Sequence, residues 1–184
     1  MAEPGVQQRL LSVEEYIDFE LASPVRHEYV GGMIYALSGV TRRHSRIAGN
    51  IFLRLAAAAG DGPCRLHLAE VRLRIGEIHY YPDIMVACGA EPADPYIEDA
   101  PCLLVEVTSP STEAIDRREK LMIYRQIPSL RAYLIVDQEE RRVERHWRDE
   151  AEEWQYAAVA GDGAVPIPCP EMTLPLDEIY ARLA

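Results

Sequence analysis

The sequence predicts an α/β or α+β chain folded as one domain over residues 1–184. Three observations carry that expectation. The length of 184 residues, 48% of them hydrophobic, suits one core. Segments with helical apolar spacing and segments rich in β-branched residues are interspersed along the chain. One run, Cys102 to Thr108, is almost continuously apolar, as in a strand covered on both faces.

Taken in order, Ser12 followed by Glu15 reads as a capping box opening a helix over Val13 to Ala22, which Pro24 stops. Gly31-Gly32 between β-prone segments marks a hairpin over His27 to Leu37. Thr41 caps a second helix, Arg42 to Ala59, with Ile47, Ile51, Leu55 and Ala58 on one face. Arg65 to Ile75 alternates as a strand, with Val71, Leu73 and Ile75 on one side and Glu70, Arg72 and Arg74 on the other. Ile78 to Cys88 and Cys102 to Thr108 read as further strands, separated by a polar loop over Glu91 to Pro101. A third long helix is expected over Thr112 to Ile127, then a strand over Ala132 to Asp137. Arg142 to Arg148 and Glu153 to Val159 form an expected hairpin, and Pro175 to Leu183 a short last helix.

Composition excludes several functions. The 19 Lys+Arg against 30 Asp+Glu give a net charge of −11, which disfavours a broad nucleic-acid-coating role. Eighteen of the basic residues are arginines; Lys120 is the single lysine. No segment is apolar enough to span a membrane, and Met1 to Gln8 does not resemble a secretory signal. Cys64, Cys88, Cys102 and Cys169 are widely spaced without a CxxC pair. Neither a zinc cluster nor a disulfide framework is therefore expected; Cys88 and Cys102 read as small buried hydrophobes and the chain as cytoplasmic.

The chemistry is concentrated in a few charged residues. Glu106 interrupts the apolar strand Cys102-Leu103-Leu104-Val105-Glu106-Val107, and a buried carboxylate requires a partner. Asp83 follows Pro82 and opens another apolar strand. Two carboxylates on neighbouring strands can converge on a hard cation such as Mg²⁺. The plainer alternatives are a turn role for Asp83 and a buried arginine partner for Glu106. In the following helix, Ile115, Met122, Ile123 and Ile127 form an apolar arc, with Asp116 inside it and Lys120 at its edge. Lys120 therefore points towards the sheet and Glu106. An ordinary i,i+4 Asp116–Lys120 pair would explain the spacing but not the inward direction. Ser109 and Ser111 lack a nucleophile elbow and read as turn and cap residues.

Pro82-Asp83, Glu106-Val107-Thr108-Ser109-Pro110-Ser111-Thr112, Asp116, Lys120 and Tyr124 together resemble the Uma-type restriction-endonuclease family, a branch of the PD-(D/E)XK nucleases. Glu28-Tyr29-Val30-Gly31-Gly32, His44 and the strand with Tyr133 extend the resemblance over residues 12–140, leaving 141–184 as a C-terminal hairpin and helix. It implies a restriction-endonuclease-like central mixed β-sheet flanked by helices. It implies Mg²⁺, with Mn²⁺ an alternative, held by Asp83 and Glu106, with the carbonyl of Val107 and with Glu28 as further ligands. The superfamily's strand lysine is replaced here by Thr108, so the resemblance gives that role to Lys120. His44 would support the site or touch phosphate, Asp116 would orient Lys120, and Arg42, Arg43 and Arg46 would form a phosphate path; Arg141, Arg142, Arg145 and Arg148 form a second arginine group. The implied function is a Mg²⁺-dependent endonuclease acting on DNA; separately, the exposed strand edges and apolar hairpins read from the sequence suggest a homodimer, which suits cutting two strands. The alternatives are a non-catalytic interaction or regulatory module on the same fold and a metal-dependent phosphodiesterase with a non-DNA substrate.

Overall fold

The computed structural model describes residues 9–108 and 116–183, save for the side chain of Asp116. The capping-box residues Ser12 and Glu15 satisfy each other's backbone amides and open α1, Val13–Ala22. The hairpin of β1 (His27–Val30) and β2 (Met33–Ala36) turns through Gly31 and Gly32, both at positive φ where a Cβ is disfavoured. Thr41 caps α2, Arg42–Ala59, whose Ile47, Ile51 and Leu55 are fully buried.

The next two expected strands are each divided between two sheets. Residues 65–75 form β3 (Arg65–Leu68) and β4 (Arg72–Ile75), broken at Ala69, which has φ +37°. Residues 78–88 form β5 (Ile78–Tyr80) and β6 (Ile84–Ala87), broken around Pro82, which has no amide to donate to a ladder. Alternation gives the face of a strand and is silent on which sheet it joins. Arg72, expected on a polar face, is instead buried, with its guanidinium 6.0 Å from the Tyr16 ring centre.

The expected loop contains the short β7 (Ile97–Glu98), and the apolar run forms β8 (Leu103–Thr108). The start of the expected third helix, including Ser109, Ser111, Thr112 and Ile115, lies outside the described residues. Asp116–Lys120 is π-helical and continues into α3, Leu121–Tyr124. Met122 is 69% exposed, which corrects its place in the apolar arc; Lys120, Tyr124 and Ile127 are the inward residues. The remaining strands are β9 (Ala132–Asp137), β10 (Arg142–Arg148) and β11 (Trp154–Ala160). An unexpected hairpin, β12 (Ala164–Pro168) and β13 (Glu171–Pro175), precedes α4, which is limited to Leu176–Ile179.

A six-stranded sheet runs β11-β10-β9-β8-β6-β3, parallel between β8 and β9 and antiparallel elsewhere. A smaller sheet runs β2-β1-β5-β4-β7. One face of the large sheet, with Ile84, Val86, Val105 and Leu134, packs on Ile47, Ile51 and Leu55 of α2 and on Leu176 and Ile179 of α4. Its other face, with Met85, Leu104 and Tyr133, packs on Leu73 and Tyr80 of the smaller sheet and Tyr124 of α3. The cysteines correct a further expectation: they are gathered together, bonded as Cys64–Cys88 and Cys102–Cys169.

Candidate metal and phosphodiester site

β6 and β8 are antiparallel neighbours with Ile84 opposite Val105. One further step in that register sets Asp83 opposite Glu106, twenty-three positions apart in sequence. The Asp83 amide lies 3.4 Å from Glu106 Oε2, and the Val107 amide donates to Asp83 Oδ2 at 2.7 Å. Asp83 Oδ1 lies 2.9 Å from His44 Nε2. The Thr41 hydroxyl accepts from the His44 amide at 3.0 Å, so the cap that starts α2 also fixes where its histidine stands. Ala69, at the break between β3 and β4, donates its amide to the Asp83 carbonyl at 3.2 Å.

Glu106 is buried, and Lys120 Nζ lies 2.9 Å from its Oε1. Tyr124 donates its hydroxyl to the same oxygen at 2.9 Å. Lys120 Nζ is also 3.1 Å from Glu28 Oε1 on β1 and 5.4 Å from the Tyr80 ring centre. Burial, then the Glu106 charge, pushes the Tyr124 hydroxyl far above the usual tyrosine range, so it remains a donor. Burial likewise raises Tyr80, aided by its bond to Glu119, and Tyr81, aided by its bond to Glu20.

Glu28, His44, Asp83, Glu106, Val107 and Lys120 all line one cavity of about 200 Å³. Three carboxylates there face one lysine among the described residues. That hard-oxygen donor set suits a small divalent cation, and a carboxylate oxygen that accepts one hydrogen bond keeps a further lone pair. The Val107 group with an observed role is its amide, which holds Asp83.

Other expected residues are placed differently. Thr108, at the superfamily's usual lysine position, is buried with its hydroxyl 3.4 Å from the Val136 carbonyl. Arg42, Arg43 and Arg46 line a separate cavity with Thr41 and Leu183. Arg43 is bonded to the Gln138 carbonyl, and Arg46 reaches the Arg182 carbonyl at 3.5 Å. The later arginines are engaged within the fold: Arg141 with Asp177, Arg142 with Glu144, Arg148 with Glu152, and Arg145 over Trp147. The role expected of the Asp116 side chain falls outside the described residues. Tyr124 received no role from the sequence, although its i+4 spacing from Lys120 puts both on one helical face. Glu20, which accepts from Tyr81 OH at 2.9 Å and the His27 amide at 3.0 Å, was also missed; its helix gave no signal of burial.

A mixed sheet with an acidic pair on adjacent strands and a lysine turned onto it from the next helix defines a restriction-endonuclease-like fold. The chain belongs to the family described as "Uma2: Putative restriction endonuclease", whose model matches residues 13–177. That match continues past the expected boundary at residue 140, through β13 and into α4. Two similar proteins of Synechocystis sp. (strain ATCC 27184 / PCC 6803 / Kazusa) bear the names uncharacterized protein slr1290 and uncharacterized protein sll1609. The first is 30% identical over 95% of this chain and 93% of its own, the second 29% identical over 85% and 91%. A crystal structure titled as a putative nuclease belonging to DUF820, from Anabaena variabilis ATCC 29413, superposes with a TM-score of 0.78. It has 18% identity and covers 93% of this chain and 98% of that one, a likeness of fold. No helix among the described residues is long and apolar enough to cross a membrane.

Proposed function

We propose that this protein is a Mg²⁺-dependent nuclease that hydrolyses phosphodiester bonds in DNA, with Mn²⁺ able to substitute. The observation that carries the reading is the Asp83–Glu106 pair, set opposite each other in register with Lys120 Nζ 2.9 Å from Glu106. Asp83 and Glu106 would hold the metal, with Glu28 and the Val107 carbonyl as further candidate ligands. A bound divalent ion supplies Lewis-acid polarisation of the phosphate and lowers the pKa of water at the site.

The chain's own groups do the remaining work. Lys120 places a cationic donor at the cavity wall, where it orients the attacking water or neutralises charge building on the phosphate. Glu28 and Glu106 hold that ammonium between them. Tyr124 keeps Glu106 in one rotamer, while the Val107 amide and His44 fix Asp83. Asp116 would steady Lys120 from its own helix, and Arg42, Arg43 and Arg46 at the start of α2 would guide the substrate backbone. A cytoplasmic homodimer, offering one site per strand, belongs to the same proposal.

The net charge of −11 favours a second reading, hydrolysis of a smaller phosphodiester. The deciding assay offers plasmid, single-stranded DNA, RNA and a chromogenic phosphodiester to the wild type with Mg²⁺ or Mn²⁺, beside Asp83→Ala, Glu106→Ala and Lys120→Ala. Cleavage of DNA by the wild type alone is expected. Equal cleavage by all three variants would remove these residues from the mechanism, and hydrolysis of only the chromogenic ester would replace the DNA assignment.

A further inference from the structure

The four cysteines of the chain come from four distant places and gather at one end of the large sheet, three of their sulfurs mutually within 4.8 Å and the fourth, Cys102, joined to that group through Cys169. Cys64 directly precedes β3, Cys88 directly follows β6 and Cys102 directly precedes β8; these three strands are adjacent in the large sheet. Arg65 pairs with Ala87, so one more step in that register sets Cys64 opposite Cys88. Cys169 arrives from the turn between β12 and β13. The two bonded pairs are not separate clips. Cys88 Sγ lies 3.0 Å from Cys169 Sγ and 3.4 Å from Cys102 Sγ, and the sulfurs of Cys64, Cys88 and Cys169 all lie within 4.8 Å of one another.

Two disulfides gain nothing by touching, since each acts through the loop that it closes. A four-coordinate soft cation, by contrast, requires four sulfurs around one point. Zinc–thiolate bonds of about 2.3 Å in a tetrahedron place sulfurs about 3.8 Å apart, within a few tenths of an ångström to about 0.8 Å of the contacts between the pairs. We propose that these four cysteines, as thiolates, form a closed structural site for Zn²⁺, and that the bonded arrangement is its oxidised counterpart. A dithiol converts one state to the other: each pair takes two electrons and two protons while the dithiol becomes a disulfide. The four thiols then release protons as they bind the metal.

The surroundings fit a structural role. Cys169 is buried and the other three are half-buried against the core on the α2 side of the sheet. Five residues of extended chain, about 17 Å, separate Cys88 from Asp83 at the other end of β6. The site would tie the β12–β13 hairpin and the chain entering β3 to the sheet, independently of the phosphodiester chemistry. The absence of a CxxC pair hid it, because sheet register rather than sequence proximity brings the ligands together.

The test uses the full chain, reduced with a phosphine and checked for native circular dichroism, then titrated with Co²⁺ and afterwards with Zn²⁺. The expected result is a thiolate-to-cobalt charge-transfer band with tetrahedral d–d absorption, saturating at one equivalent and abolished by Zn²⁺. Native mass spectrometry of protein purified without added metal is expected to show one zinc. Cys169→Ser, if folded, is expected to lose the tetrahedral spectrum; if it does not fold, the wild-type titration and native mass still decide. A folded, reduced wild type without the charge-transfer band, or a metal-free native mass lacking four hydrogens after purification under glutathione, would overturn the proposal.

Discussion

Replacing Lys120 with methionine removes the charge while keeping most of the side-chain length, and the structure sets the size of the effect. Nζ lies 2.9 Å from Glu106 and 3.1 Å from Glu28, and the three side chains are only 8%, 6% and 12% exposed. An exposed pair would be worth under about 1 kcal/mol, whereas stripping one partner from a buried pair costs about 3–5 kcal/mol. Two buried carboxylates share this lysine, so Lys120→Met is expected to lose about 3–5 kcal/mol, a large share of the 5–15 kcal/mol typical of a folded domain. Urea unfolding followed by circular dichroism, with chelator present, measures it. If Asp83 and Glu106 hold a divalent ion, Mg²⁺ should recover part of the loss; occupancy at about 100 times Kd contributes about 2.7 kcal/mol. A variant that unfolds within about 1 kcal/mol of wild type in chelator would refute the argument that this ammonium neutralises a buried acidic pair.

Three further outcomes are expected. Tyr124→Phe removes a hydroxyl donated to buried Glu106, which should cost about 1.5–3 kcal/mol in denaturant unfolding while leaving the native fold unchanged. Ile51→Ala, at a fully buried position of α2, should cost about 2–5 kcal/mol through the cavity it leaves, measured the same way. The third concerns acid. Burial, then Arg72 and Arg74, pushes His79 down to about 4, and its ring nitrogens have no hydrogen-bond partner among the described residues. Burial, then Arg125, likewise lowers His146 to about 4. The folded pKa lies below the unfolded one, near 6.5, so the unfolded chain takes up protons first as pH falls. The stability that these histidines contribute is complete above about pH 6.5 and is lost on descending towards pH 4. His79→Phe should make the thermal midpoint fall less steeply between pH 7 and 4.5; an unchanged slope would exclude the buried neutral imidazole as a cause.

The parts of the fold that depend on local rules were legible. Ser12 and Glu15, Thr41, and Gly31-Gly32 mark α1, α2 and the first hairpin because caps and tight turns are formed by neighbouring residues. Glu106 announced itself because a charge inside an apolar strand needs a partner, and Lys120 because it stands alone among arginines. What the sequence could not display was long-range pairing. The breaks at Ala69 and Pro82 transfer the chain between sheets without disturbing alternation. The cysteine cluster and the Glu28–Lys120 contact likewise join residues that have no sequence relation. Met122 was misplaced because a 100° wheel does not describe the π-helical segment just before it.

The measurement that bears most directly on the central claim is a calorimetric Mg²⁺ titration of wild type, Asp83→Ala and Lys120→Ala, run beside DNA cleavage by the same preparations. Binding by wild type and by Lys120→Ala is expected, with weakened binding by Asp83→Ala and turnover by wild type alone. Binding that is absent from wild type, or unaffected by the loss of Asp83, would contradict a metal-centred site at the Asp83–Glu106 pair and leave the non-catalytic module as the reading of this fold.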